Sequence, residues 1–215
     1  MQGLLVIFVS SMVIAYSGAL MPGPMLAVVV AETPRQGARA GPLVVLGHSV
    51  LELVLLAALV VGLGPLLERE GAQAALSLVG GAMLAVTGAS MAWAVVRDTV
   101  YLDWEPDAAG AGRARTVLGG VLSSLANPYW TIWWATIGLG LLTRAYALGL
   151  AGVAAFYVGH ILGDLTWYSA VSGALAAGRR WISARGYRAM VGAAALFLLA
   201  MAAWFTASGL RAVLG

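Results

Sequence analysis

Six apolar stretches, each about 20 residues or longer, recur along this chain at 3–31, 41–67, 74–97, 116–142, 146–178 and 189–212. Short clusters of Arg, Asp, Glu, Gly and Pro divide them. Twenty residues of helix at ~1.5 Å rise match a hydrocarbon core ~30 Å thick. The chain is 61% hydrophobic and 10% charged, whereas soluble domains carry roughly a quarter charged residues. It therefore reads as an all-α polytopic membrane protein with six transmembrane helices in one domain, 1–215. The spans leave no room for a separate catalytic domain, so an enzyme is not expected. Leu4 to Met21 has neither a basic leader nor a clear small-residue cleavage site, and it is read as the first helix and not as a signal peptide.

Composition narrows the function. There is no cysteine, which excludes disulfides and thiolate metal sites. No phosphate-binding loop is present, so ATP-driven transport would need another chain. No cofactor is expected. All 12 basic residues are Arg and the net charge is only +3, a pattern of loop charges and not of a nucleic-acid surface. Arg35 and Arg39 follow span one, Arg97, Arg113 and Arg115 follow span three, and Arg179, Arg180, Arg185 and Arg188 follow span five. The other side has Arg69, Arg144 and Arg211. Cytoplasmic loops carry the excess of basic residues. Both termini are thus expected outside a plasma membrane, with a cytoplasmic linker at about 98–115.

The two halves echo each other. Span one breaks at Met21-Pro22-Gly23-Pro24 and span four at Ala126-Asn127-Pro128. Span two carries Gly47-His48-x-x-x-Glu52, and span five carries Gly159-His160-x-x-x-Asp164. Gly81 and Trp93 in span three have the same separation as Gly192 and Trp204 in span six. Three spans is an odd number, so a second repeat (about 116–212) must lie upside down relative to the first (about 3–97). Inverted three-helix repeats, with helices one and four broken at Pro, are an architecture of alternating-access secondary transporters.

His48 and His160 are the only histidines, and each precedes a carboxylate by four residues, on the same helix face. Glu52 lies 13 residues past Arg39 and Asp164 lies 15 before Arg179, which puts both carboxylates ~20 Å along their helices. Neither can snorkel to an interface. Charge at that depth costs at least ~2.5 kcal/mol and marks a proton or ion pathway. Three readings stand side by side: proton coupling by Glu52, Asp164, His48 and His160; histidines that merely hydrogen-bond the carboxylates one turn away; and a metal site of the same four residues, acceptable to zinc, manganese or nickel.

Pro lacks an N–H and clashes with the preceding turn, so Pro22-Gly23-Pro24 should unwind span one, and Asn127-Pro128 span four. Irregular backbone at membrane depth is tolerated only against protein or a wet cavity. The amides that open the following half-helix can receive a carboxylate. Pro22, Gly23, Pro24, Asn127, Pro128, Tyr129 and Trp130 are therefore expected to contact substrate. Trp130, Trp133 and Trp134, at helical spacing after the second break, and Trp167 and Tyr168 after Asp164 can wall a substrate cavity or contact a cationic group. For most of them an interfacial belt or simple packing is the expected role, and Gly159-x-x-x-Gly163 reads as a close-packing face.

With these features the chain resembles the lysine exporter (LysE/RhtB-type) family of amino-acid efflux transporters. The resemblance rests on Pro22-Gly23-Pro24 with Gly37 and Gly41 downstream, Gly47-x-x-x-x-Glu52, Gly80-Gly81-Ala82-Met83-Leu84, Asn127-Pro128, and Asp164 followed by Trp167-Tyr168. It implies six helices in two inverted triplets and export of amino acids or similar amphoteric solutes by proton antiport, in a prokaryotic plasma membrane. The implied partners are lipid, the solute and protons, with a homodimer permitted and no nucleic acid. The chain departs from the family in having Tyr129 where a Lys often follows Asn-Pro, Glu52 where Asp is more usual, and its two histidines. A divalent-cation exporter using the two His–carboxylate pairs is the alternative.

Overall fold

The computed structural model describes residues 2–21, 23–63, 70–99 and 112–214, and these are helical with no strand among them. The helices are α1 (Gln2–Ala19), α2 (Pro24–Gln36), α3 (Ala40–Ala58), α4 (Glu70–Val96), α5 (Gly112–Leu125), α6 (Pro128–Trp133), α7 (Leu139–Tyr146), α8 (Gly149–Ala177) and α9 (Ala184–Leu214). A 3-10 turn at Gly37–Arg39 joins α2 to α3, with Gly37 at φ +60°. π-helical turns follow α3 at Leu59–Leu63 and α6 at Trp134–Gly138.

Five stretches among the described residues are long and apolar enough to cross a membrane: Gln2–Ala19, Pro24–Gly62, Ser77–Val96, Gly149–Arg180 and Ala184–Val213. The expected fourth span is not among them. It is divided into a 14-residue α5, a six-residue α6, a π turn and an eight-residue α7. The cause is the Asn127–Pro128 break followed by the π turn, which leaves no single helix of spanning length. The expected break in span one is present as the gap between Ala19 and Pro24, although Pro22 itself lies outside the described residues. So do Arg69 and residues 100–111 of the expected linker.

Lipid tails are as apolar as Leu, so helices in a membrane associate through close packing and not through the hydrophobic effect. Glycine does this work here. A Cβ on Gly47 of α3 would collide with the Val117 carbonyl of α5, and one on Gly120 of α5 would collide with the Val44 carbonyl of α3. Gly159 and Gly163 of α8 meet the backbone of α1 at Phe8 and Met12 in the same way. The contacts Phe8–Gly159 and Met12–Gly163 advance together, so α1 runs parallel to α8. Val44–Gly120 and His48–Ser124 advance together as well, so α3 runs parallel to α5. Gly41 of α3 lies against Tyr168 of α8 while Ser49 accepts from Tyr157 at 2.7 Å, so those two run antiparallel. Gly81 and Gly88 of α4 pack on Ala202 and Ala195 of α9, also antiparallel. A Cβ on Gly192 would meet only Val95 among the described residues, at 3.8 Å, so Gly81 and Gly192 do not play matching roles.

One end of the molecule is laced by charge. Glu32 of α2 accepts from Arg115 of α5 at 2.9 Å and from Thr116 at 2.9 Å, and Arg188 of α9 pairs with Asp98 at the end of α4.

Candidate functional site

Along α3 the buried residues read Val44-Val45, then His48 and Glu52, then Leu56; along α8 they read Phe156, then His160 and Asp164, then Tyr168. Because α3 and α8 are antiparallel, the two polar pairs meet in one layer between two apolar ones. The apolar layer beyond Leu56 and Phe156 is completed by Trp133, Trp134 and Leu141, and the opposite one by Ala19, Met25 and Val29. All four polar side chains are buried, and Glu52 is 0% exposed.

The four groups converge closely. His48 Nε2 lies 3.1 Å from Glu52 Oε1 and 3.3 Å from Asp164 Oδ2. His160 Nε2 lies 3.1 Å from Glu52 Oε2 and 3.5 Å from Asp164 Oδ2. Each histidine therefore faces both carboxylates, its own helix's and its neighbour's. Two indoles add to the site, since Trp130 Nε1–H and Trp134 Nε1–H donate to Glu52 Oε1 at 2.9 and 2.8 Å. His48 Nδ1 is 2.7 Å from Ser124 Oγ, whose own hydroxyl donates to the Gly120 carbonyl at 2.8 Å. The His160 ring sits among Trp133, Phe156 and Trp134, with Trp133 closest at 4.7 Å between centroids. Trp133 is held in turn by donating to Ser17 Oγ at 3.1 Å.

A cavity of about 40 Å³ opens on this cluster, walled by Gly18, Met25, Asn127, Tyr129, Trp130 and Tyr168 among others. That volume accepts a few water molecules or a bare ion. The two helix breaks meet beside it, because a Cβ on Gly23 would lie 3.7 Å from Asn127 Nδ2.

The family model for LysE type translocators matches residues 16–209. The chain belongs to the LysE translocator family. The family consists of membrane transporters, and membership implies carriage of amino acids or similar solutes. No curated protein and no solved structure matches the chain.

In this LysE translocator His48, Glu52, His160 and Asp164 come together, and Asn127, Tyr129 and Trp130 border the same cavity. Gly23 and Pro24 lie at the adjoining break, where Pro24 opens α2. Pro22 and the side chain of Pro128 lie outside the described residues, although Pro128 heads α6. At the second break the Asn127 side chain occupies the helix start itself, Oδ1 accepting from the Tyr129 amide at 3.1 Å. Replacing Asn127 with Ala is expected to remove this cap and about 1 kcal/mol of stability, read as a lower thermal midpoint of the purified protein. An unchanged midpoint would mean that the cap contributes nothing.

Of the two roles expected for Trp133 and Trp134 apart from walling a cavity, packing is the one observed. They are packed in the core beside His160 and Glu52, at 4% and 1% exposure, and do not form an interfacial belt. The available signal was their spacing after the break: residues three and four past Trp130 share its helix face. Ser124 was missed because nothing in the sequence sets a buried serine apart.

Proposed function

We propose that this translocator exports an amino acid or a related small amphoteric solute in exchange for protons, across the plasma membrane of a prokaryote and with both termini outside. The observation that carries the reading is the meeting of two carboxylates and two histidines, one pair from each half of the chain, beside two helix breaks. Buried carboxylates at membrane depth are rare outside proton and ion pathways. The solute's carboxylate is directed to the open start of α2 at Gly23, and its ammonium to Glu52 or Asp164. Protons that enter from outside take the ammonium's place on the carboxylates and release it. His48 and His160, each within 3.5 Å of both carboxylates, exchange protons with them.

Two observations support six spans arranged as inverted repeats. Span one packs parallel on span five, and span four packs parallel on span two. Exchanging the repeats turns the first contact into the second, and it leaves the antiparallel pairs two–five and three–six unchanged. The cavity of about 40 Å³ is too small for an amino acid, so the solute passes only when the breaks part, as alternating access requires. The Glu32–Arg115 pair joins α2 of one repeat to α5 of the other and would have to open on one side.

The test is flux from full-length protein in liposomes under an imposed pH gradient, loaded with mixed amino acids and divalent cations and read by mass spectrometry. Gradient-dependent release of one or a few amino acids is expected. Release of a cation alone, or release indifferent to the gradient, overturns the reading.

A further inference from the structure

We infer that His48, Glu52, His160 and Asp164 form a binding site for one divalent transition-metal cation of the zinc and cobalt class. The donor set is two imidazole nitrogens and two carboxylate oxygens, which suits these ions and is poor for calcium or magnesium. One ligand atom from each residue lies within 4.8 Å of the others. Four nitrogen–oxygen separations run from 3.1 to 3.5 Å, with His48 nearest Oε1 of Glu52 and His160 nearest its Oε2. A tetrahedron of metal–ligand bonds of about 2.0–2.1 Å has edges of about 3.3 Å. The nitrogen–oxygen separations match those edges, while the set as a whole extends to 4.8 Å, so the four side chains have only to draw together to close a tetrahedral first shell.

The surroundings point the same way. Ser124 gives its hydroxyl proton to Gly120, so its oxygen accepts from His48 Nδ1–H. With Nδ1–H engaged by Ser124, release of the other ring proton leaves the Nε2 lone pair facing the carboxylates, which is the tautomer a metal takes and the hydrogen bond that orients it. Glu52 Oε2 and Asp164 Oδ2 are buried and meet no donor in hydrogen-bonding alignment, despite lying within 3.5 Å of the imidazoles. These two oxygens and the two imidazole nitrogens thus share one small buried volume. A dipositive ion there neutralises two carboxylates that the apolar layers above and below cannot. The two indoles on Glu52 Oε1 leave Oε2 free to ligate. The site uses the side chains of the coupling cluster proposed above, but occupancy does not depend on what the protein carries.

The test is direct binding by the full-length protein, purified, stripped with chelator and titrated with Co²⁺ and then Zn²⁺. One Co²⁺ per chain is expected, with the strong visible absorption of four-coordinate cobalt, displaced by Zn²⁺ and insensitive to excess Ca²⁺ or Mg²⁺. His48→Gln and His160→Gln should each weaken binding at least ~100-fold, and Ser124→Ala, which removes only the orienting hydroxyl, about tenfold. Elution profile and helical circular dichroism establish that each variant is folded. Should a histidine variant fail to fold, Ser124→Ala carries the decision, and unchanged affinity there overturns the site. So does a six-coordinate cobalt spectrum, absence of saturable binding by the folded wild type, or undiminished binding by the folded histidine variants. Metal binding without amino-acid flux would remove the proposed transport function and leave this site standing. Flux in chelator without metal binding would do the reverse.

Discussion

Glu52→Gln is expected to lower gradient-driven efflux at least ~100-fold, equivalent to about 2.7 kcal/mol, while the protein still folds. Glutamine keeps the shape of the side chain and retains an oxygen for Trp130 and Trp134, which donate to Oε1 at 2.9 and 2.8 Å. What disappears is the charge that both imidazoles face at 3.1 Å. Truncation to Ala would be a poorer experiment, because removing one partner of a buried ionic group costs about 3–5 kcal/mol and confuses lost function with lost fold. The measurement is initial efflux from liposomes containing matched amounts of monodisperse wild-type and variant protein. Wild-type rates in Glu52→Gln would remove this carboxylate from the mechanism. The same assay on Asp164→Asn asks whether one carboxylate or both carry the coupling. His48→Gln and His160→Gln should mainly move the pH optimum of efflux.

Gly47→Ala is expected to be nearly as damaging, through the fold. Its added Cβ would meet the Val117 carbonyl of α5, with Val121 N 3.0 Å away, and these are backbone atoms that cannot rotate aside. The helices must separate, and overpacking of this kind costs about 1–3 kcal/mol. Function suffers as well, because His48 is the next residue and its partner Ser124 lies one turn beyond Gly120 on α5. Gly140→Ala is the control: it sits in α7 with nothing within 4 Å of its Cβ position. A thermal midpoint that drops for Gly47→Ala and holds for Gly140→Ala supports the close crossing. Equal behaviour of the two variants would show that the crossing has room to spare.

Much of the site was legible before the fold. The Gly-His-x-x-x-carboxylate element at 47–52 and 159–164 specifies a helix face: the glycine admits a neighbouring helix, and the His and carboxylate one turn apart project together. In both copies the structure uses the glycine in that way, at Val117 for Gly47 and at Phe8 for Gly159. Proline chemistry likewise announced the gaps after Ala19 and after Leu125. The fourth span was less readable, since composition shows an apolar run at 116–142 but not how the Asn127–Pro128 break and a π turn cut it into short pieces.

The amino-acid sequence by itself determined the helical membrane class, the places where helices break, and the four intramembrane polar residues. These follow from local rules, namely length against bilayer thickness, the missing N–H of proline and the period of the helix. Only the tertiary structure decided that the two polar pairs share one cluster, that Trp130 and Trp134 serve Glu52, and that Ser124 orients His48. Those contacts join residues 76 to 116 positions apart. Their existence depends on which glycine faces let which helices approach, a property of pairs of helices that no single stretch of sequence contains.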